Sequence, residues 1–213
     1  TLKDLELKEH GALERVICLT PNELMTEEKI VPFCQHPGTA PGVDLEQQIV
    51  KLAVFERHHR TGHVGLGFLG GYGLRCGAVA SSIAHDSHNL IVAGTNDADM
   101  VLAGNTVRKN KGGLAFAANG RVIGELALPV AGLMSTDSAE AVEEKLCALK
   151  AALKENGISE EIDAFMTLAF VSLPVIPKLR LNTYGVVDVT QHKVVPAVFD
   201  GSGLPSAVPT VCR

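Results

Sequence analysis

Two short runs of small and β-branched residues, Ala78 to Ile83 and Leu90 to Ala93, flank six mostly polar positions from Ala84 to Asn89. The pattern predicts two strands joined as a hairpin, with Asp86, Ser87 and Asn89 supplying the short hydrogen-bonding side chains that turns favour. His85 and His88 lie in the same connection. No turn requires an imidazole, so these two are candidate chemistry, with a polar hairpin tip as the plain alternative.

The same reading organises the rest of the chain. Thr1 to Phe33 reads as an irregular lead-in around a strand at Arg15 to Leu19, and the Pro- and Gly-bearing stretch 34–42 reads as an exposed connection. Asp44 with Gln47 resembles a capping box ahead of Leu45, Ile49 and Leu52, which predicts a helix from Leu45 to about Arg57 ending in the polar stretch from Glu56 to His63. Asn96 or Asp97 caps a second helix with Met100, Ala103 or Gly104, and Val107 on one face, stopped by Gly112-Gly113. Asn119-Gly120 between two apolar runs predicts another hairpin. Asp137 or Ser138 opens the longest helix, with Val142, Leu146, Leu149 and Leu153 inward and Cys147 beside them as a small core residue. The apolar loop 129–135 is expected to pack against something. Phe165 to Leu173 reads as a strand broken by the prolines that follow, and Val186 to Phe199 as returning strands before a loose tail from Asp200.

These elements make an α+β fold: antiparallel hairpins packed with about three helices. The expected divisions are a lead-in and linker at 1–43, the main domain at 44–181, and returning strands with the tail at 182–213.

Composition narrows the classes. Apolar residues make up 46% of the 213, charged residues 20% and aromatics 4%, so the core rests on aliphatic side chains. A net charge of −5 without a long basic block argues against nucleic acid and acidic membranes as partners. Five scattered cysteines without a C-x-x-C spacing fit a reduced, cytoplasmic protein. The longest apolar run, 165–177, contains proline and falls short of the ~20 residues that a membrane span needs. Thr1 as first residue fits either removal of an initiator Met or a fragment.

Motif chemistry is sparse. Gly65-Leu66-Gly67-Phe68-Leu69-Gly70 spells G-x-G-x-x-G, but a histidine-rich stretch precedes it and further glycines follow, where a dinucleotide fold needs a strand and then a helix. These glycines fit tight backbone packing, or positive φ in a loop. Cys34 and His36 lack a second ligand pair, so no metal site is expected from them. His59 and His63 share a face only if a helix continues through Gly62.

The segments 65–74, 77–82, 84–89 and 94–96 together resemble the C-terminal region of bacterial adenine deaminases of the amidohydrolase superfamily. So do Glu56-Arg57-His58 with Thr61-Gly62, the segment 128–135, and 165–177, in collinear order from about Asp44 to Val189. The resemblance implies adenine as substrate, hypoxanthine and ammonia as products, and a metal-dependent (β/α)₈ barrel. That barrel, with its H-x-H pair and its manganese, iron or zinc, lies N-terminal to the matched region. No H-x-H occurs in these residues, and a barrel needs about 250 residues of its own. No metal is therefore expected in this chain, which alone is expected to be inactive.

By the same resemblance, the hairpin caps the barrel's open face. His85, Asp86 and His88 become the catalytic candidates, with Ser81, Ser82, Ser87, Asn89, Arg57 and His58 as substrate-binding candidates. The returning strands resemble part of an amidohydrolase β-sandwich whose apolar edge invites a partner, either a separate barrel or a second copy of the chain. The alternative is a non-catalytic module that binds purine or serves structure.

Overall fold

The computed structural model describes residues 1–201; the expected loose tail beyond Gly201, with Cys212, lies outside the described residues. A short 3-10 turn at Leu2–Leu5 leads into β1 (Leu13–Leu19), β2 (Thr26–Pro32), β3 (Ile49–Phe55), β4 (Val64–Gly70), β5 (Ala78–Ser81) and β6 (Leu90–Gly94). Then come α1 (Asp97–Lys109), the pair β7 (Gly113–Ala118) and β8 (Arg121–Ala127), α2 (Ala139–Glu155) and α3 (Ala164–Val171). Four short strands follow: β9 (Leu179–Asn182), β10 (Gly185–Asp188), β11 (Lys193–Val195) and β12 (Val198–Phe199).

The fold is α+β. A large sheet runs β12-β1-β4-β3-β6-β5-β7-β8 with β2 also paired to β1, and a small sheet runs β11-β10-β9. The β1–β4 pair is parallel, and the neighbouring pairs β3–β4, β3–β6, β5–β6, β5–β7 and β7–β8 are antiparallel. The lead-in residues thus contribute two strands, of which β2 has an exposed, charged outer row that hides its pattern.

Small residues let α1 lie close on one face. Met100, Ala103 and Val107 pack on Ala53, Ala78, Ala80, Val92 and Ala115. The helix is capped as its sequence predicts: Asn96 accepts from the Asp99 N–H at 2.8 Å. The Asp99 carboxylate in turn receives the N–H groups of Asn119 and Gly120, both at positive φ, which ties α1 to the β7–β8 turn.

The opposite face carries α2, α3 and the small sheet, with Leu149, Leu153, Phe165, Leu168, Leu181 and Val186 in one core with Leu52, Val54, Val79 and Ile91. Leu149 and Leu153 are each 1% exposed, and burying the pair contributes about 3–6 kcal/mol. The small sheet buries Val186 against β4 while Tyr184 and Val194 stay exposed.

Five expectations are corrected. The helix predicted over 45–57 is a turn followed by β3: Asp44 does accept from Glu46 and Gln47, but Gln48 takes φ 57° and the chain turns back to bridge Asp44 with Ile49. Ile49 through Val54 are all buried, so a strand covered on both faces mimicked helical spacing. The G-x-G-x-x-G stretch is the strand β4, not a loop. A Cβ on Gly65 would lie 1.8 Å from the Asn182 carbonyl oxygen, so its glycine admits the small sheet.

Phe165 to Leu173 is mostly the helix α3, capped by Asp163 and apolar nearly all round. Cys147 is exposed on α2 rather than in the core. The loop 129–135 is only partly packed, since Gly132 is buried while Val130 and Met134 are exposed. Among the described residues no helix is long and apolar enough to cross a membrane.

Candidate functional site

The β5–β6 connection is gripped from three sides. At its start, the His85 N–H donates to the carbonyl of Ala169 at 2.9 Å, and Ser172 Oγ donates to the His85 carbonyl at 3.3 Å, so the end of α3 fixes this residue. At its far side, Arg57 Nε donates to the His88 carbonyl at 2.5 Å and the Arg57 N–H to Asn89 Oδ1 at 3.2 Å. Arg57 Nη2 also reaches the Ala131 carbonyl at 2.8 Å, which brings loop 129–135 alongside. Next to it, His58 Nε2 meets the Ser87 carbonyl at 2.7 Å. Residues far apart in sequence therefore present one face.

That face holds His58, His85, Asp86, Ser87 and His88. The His85 and His88 rings stand 5.5 Å apart, and Phe170 backs His85 at 5.1 Å. Asp86 and Ser87 are exposed. Among the described residues no hydrogen bond joins Asp86 to either imidazole, so it acts on His88 only as a nearby negative charge. His88 Nδ1 is shielded from solvent and has no hydrogen-bond partner among the described residues. Burial, then the charges of His85 and Arg57, hold the His88 imidazole below its ordinary pKa despite Asp86. A neutral imidazole with an unengaged nitrogen can accept or donate one proton, according to its tautomer.

The remaining candidates hold the scaffold. Ser81 and Ser82 are fully buried. Ser81 Oγ bonds the Ile83 backbone at 3.0 and 3.2 Å, and Ser82 Oγ donates to the Gly132 carbonyl at 2.6 Å while accepting from Gly113 at 2.7 Å. Asn89 is buried and faces Arg57. All nine sequence candidates thus lie on or directly beneath one hairpin.

Sequence reasoning missed Glu56 and the Ala131-Gly132 backbone. Glu56 organises the β3–β4 loop by accepting from the N–H groups of His58, His59 and Thr61. Desolvation pushes its pKa up, but these bonds prevail and lower it to about 2. The loop brings His63 against Tyr184, with ring centroids 5.1 Å apart, rather than onto a helical face with His59. Among the described residues, the one group with metal-ligand spacing is Cys34, His36 and Asp44, and no hairpin residue belongs to it.

Comparison with known proteins gives this hairpin a context. A family model described as the adenine deaminase C-terminal domain matches residues 23–193. The chain is 48% identical over 182 residues to "Adenine deaminase 2" of Carboxydothermus hydrogenoformans, covering 85% of this chain and 32% of the relative. It is 49% identical over 180 residues to an "Adenine deaminase" of Nitratidesulfovibrio vulgaris, covering 83% and 31%. A relative of that name from Methanococcoides burtonii is 41% identical over 205 residues, covering 93% and 34%. The chain spans about a third of the length of these curated relatives. With the motifs of the hairpin, of β4 and of loop 129–135 all inside the matched span, the chain belongs to the adenine deaminase C-terminal domain family.

Proposed function

We propose that the chain serves as the C-terminal part of an adenine deaminase, converting adenine and water to hypoxanthine and ammonia, and that its histidine hairpin faces a barrel active site contributed by other parts of that protein. Family membership supports the reading, and one observation carries it. His88 Nδ1 lacks a partner within a cluster of imidazoles that backbone contacts, not mutual bonds, hold in place.

The barrel's divalent metal, manganese, iron or zinc, would supply an activated water to that reaction. The hairpin does not fit such an ion, because among the described residues its imidazoles belong to no group of three potential ligands with metal-ligand spacing. Its residues have other work. His88, held below its ordinary pKa, hydrogen-bonds a purine ring nitrogen or relays a proton from the attacking water to the departing amine, with half-buried His85 and exposed Asp86 beside it. His58 and Ser87 widen the polar face. Arg57, Asn89, Ser81 and Ser82 position the loop.

Barrel sites open at the C-terminal ends of their strands, where an appended domain excludes water. Exposed Val130 and Met134, on the loop that Arg57 anchors, support a docking role for this side of the domain, with the barrel or a second copy as partner. Scattered cysteines without paired spacing support a reducing, cytoplasmic setting.

The test is His85→Ala and His88→Ala in a full-length adenine deaminase carrying this domain. We expect kcat/KM to fall by about tenfold to a thousandfold in at least one variant, with Tm unchanged. Unchanged kcat/KM in both would overturn the reading.

A further inference from the structure

The connection between β2 and β3 carries chemistry that the hairpin does not use. The sulfur of Cys34, an imidazole nitrogen of His36 and a carboxylate oxygen of Asp44 lie within 4.8 Å of one another. Backbone bonds bring them together. The Gly42 N–H donates to the Cys34 carbonyl at 2.8 Å, and the Ala40 N–H is tied to the Thr95 carbonyl at 2.9 Å. Gly42 sits at φ +79°, with the Phe68 ring 2.2 Å from where a Cβ would be, so this path admits only glycine. Asp44 Oδ1 accepts from Glu46 and Gln47, each at 3.0 Å, and Oδ2 from Gln47 Nε2 at 2.8 Å. Bonds of this kind orient a ligating carboxylate while leaving lone pairs for an ion.

A second, independent observation points to a cation. Glu14 on β1 is fully buried, and among the described residues neither of its carboxyl oxygens has a hydrogen-bond partner. It lies against the same loop, since a Cβ on Gly42 would be 2.7 Å from Glu14 Oε2. Asp44 is close enough for its charge to act on Glu14. A carboxyl buried without a hydrogen-bond partner is stabilised by a cation bound beside it.

We propose that Cys34, His36 and Asp44 bind a divalent transition-metal ion, zinc by preference, beside the buried, unpartnered carboxyl of Glu14. A thiolate beside an imidazole and a carboxylate selects zinc over magnesium or calcium, which take oxygen ligands. Zinc bonds of about 2.0–2.3 Å place tetrahedral ligands roughly 3.5 Å apart, so a modest tightening of the group completes the site. Exposed His36 gives the ion a path in and leaves room for a water as fourth ligand. The ion would pin the two ends of the 34–44 connection to each other. None of these residues belongs to the hairpin, so this proposal and the proposed function stand or fall separately.

The full 213-residue chain, stripped with EDTA, is titrated with zinc chloride alone and, in parallel, with cobalt chloride. We expect one equivalent of zinc to be retained. At free zinc a hundredfold above Kd, Tm should rise by about 5–10 °C. The cobalt form should show thiolate-to-metal charge-transfer absorption. Cys34→Ser should remove that absorption, and both Cys34→Ser and His36→Ala should weaken zinc binding at least about tenfold. His36 is exposed, so its variant should fold regardless. Glu14→Gln, which keeps the three proposed ligands, should keep the absorption. The proposal is overturned by no zinc retained at micromolar concentrations, by retention unchanged in Cys34→Ser and His36→Ala, or by an equivalent lost from a His85→Ala/His88→Ala double variant.

Discussion

The imidazole of His85 stands nearly edge-on to that of His88, with the ring planes at 67°. Burial, then the nearby charges of His85 and Arg57, hold half-buried His88 below its ordinary pKa. His88 should therefore titrate below the unfolded value of about 6.5 by NMR. Between its folded pKa and that value the unfolded chain binds more protons. The stability contributed by neutral His88 is thus complete above about pH 6.5 and is lost as pH falls through the folded pKa. Denaturant unfolding at several pH values should show the wild type losing more stability on acidification than His88→Asn. Identical pH profiles would contradict the assigned environment.

One guanidinium serves two loops. Arg57→Ala leaves the His88 and Ala131 carbonyls without their donors, for an expected loss of about 1–3 kcal/mol in urea unfolding, with faster amide exchange across residues 84–89. Arg57→Lys should recover less than half of that loss, because a single ammonium lacks the planar fork that reaches both carbonyls. Full recovery by lysine would show that charge alone matters.

Gly65 and Gly62 separate steric from conformational cost. At Gly65 a Cβ meets the Asn182 carbonyl oxygen at 1.8 Å, and alanine there should cost about 3 kcal/mol by forcing the small sheet away from β4. At Gly62, φ is +75° with nothing within 4 Å, so alanine should cost about 1 kcal/mol. Thermal denaturation giving equal losses at the two positions would mean that the sheets do not press on each other at Gly65.

The parts legible in the sequence are those set by side chains acting within a few residues. Asn96, Ser138 and the Asn119-Gly120 pair each make a cap or turn locally, and α1, α2 and the β7–β8 hairpin follow where expected. Burial is what erased the remainder: apart from Lys51 in β3 and Thr167 in α3 both elements are apolar, so neither shows the period that would tell strand from helix. At the candidate site, His85, Asp86, His88, Arg57 and His58 stood out as polar residues against an apolar background and do come together. Ala131 and Gly132 contribute only carbonyls, which no side-chain pattern announces. Likewise Glu14 lies against the 34–44 loop only because Gly42 lets that loop fold close over it.

The pairing of Leu13 with Phe199 and Glu14 with Val198 fastens the beginning of the sheet to its end. Gly11 makes the junction tight, because a Cβ there would lie 2.1 Å from the Phe199 carbonyl carbon. Adjacent strands lie roughly 5 Å apart, so β1 and β12 form one joint between the first and last strands of the large sheet. The last described strand is held through the first, and a change that loosens β1 also frees β12.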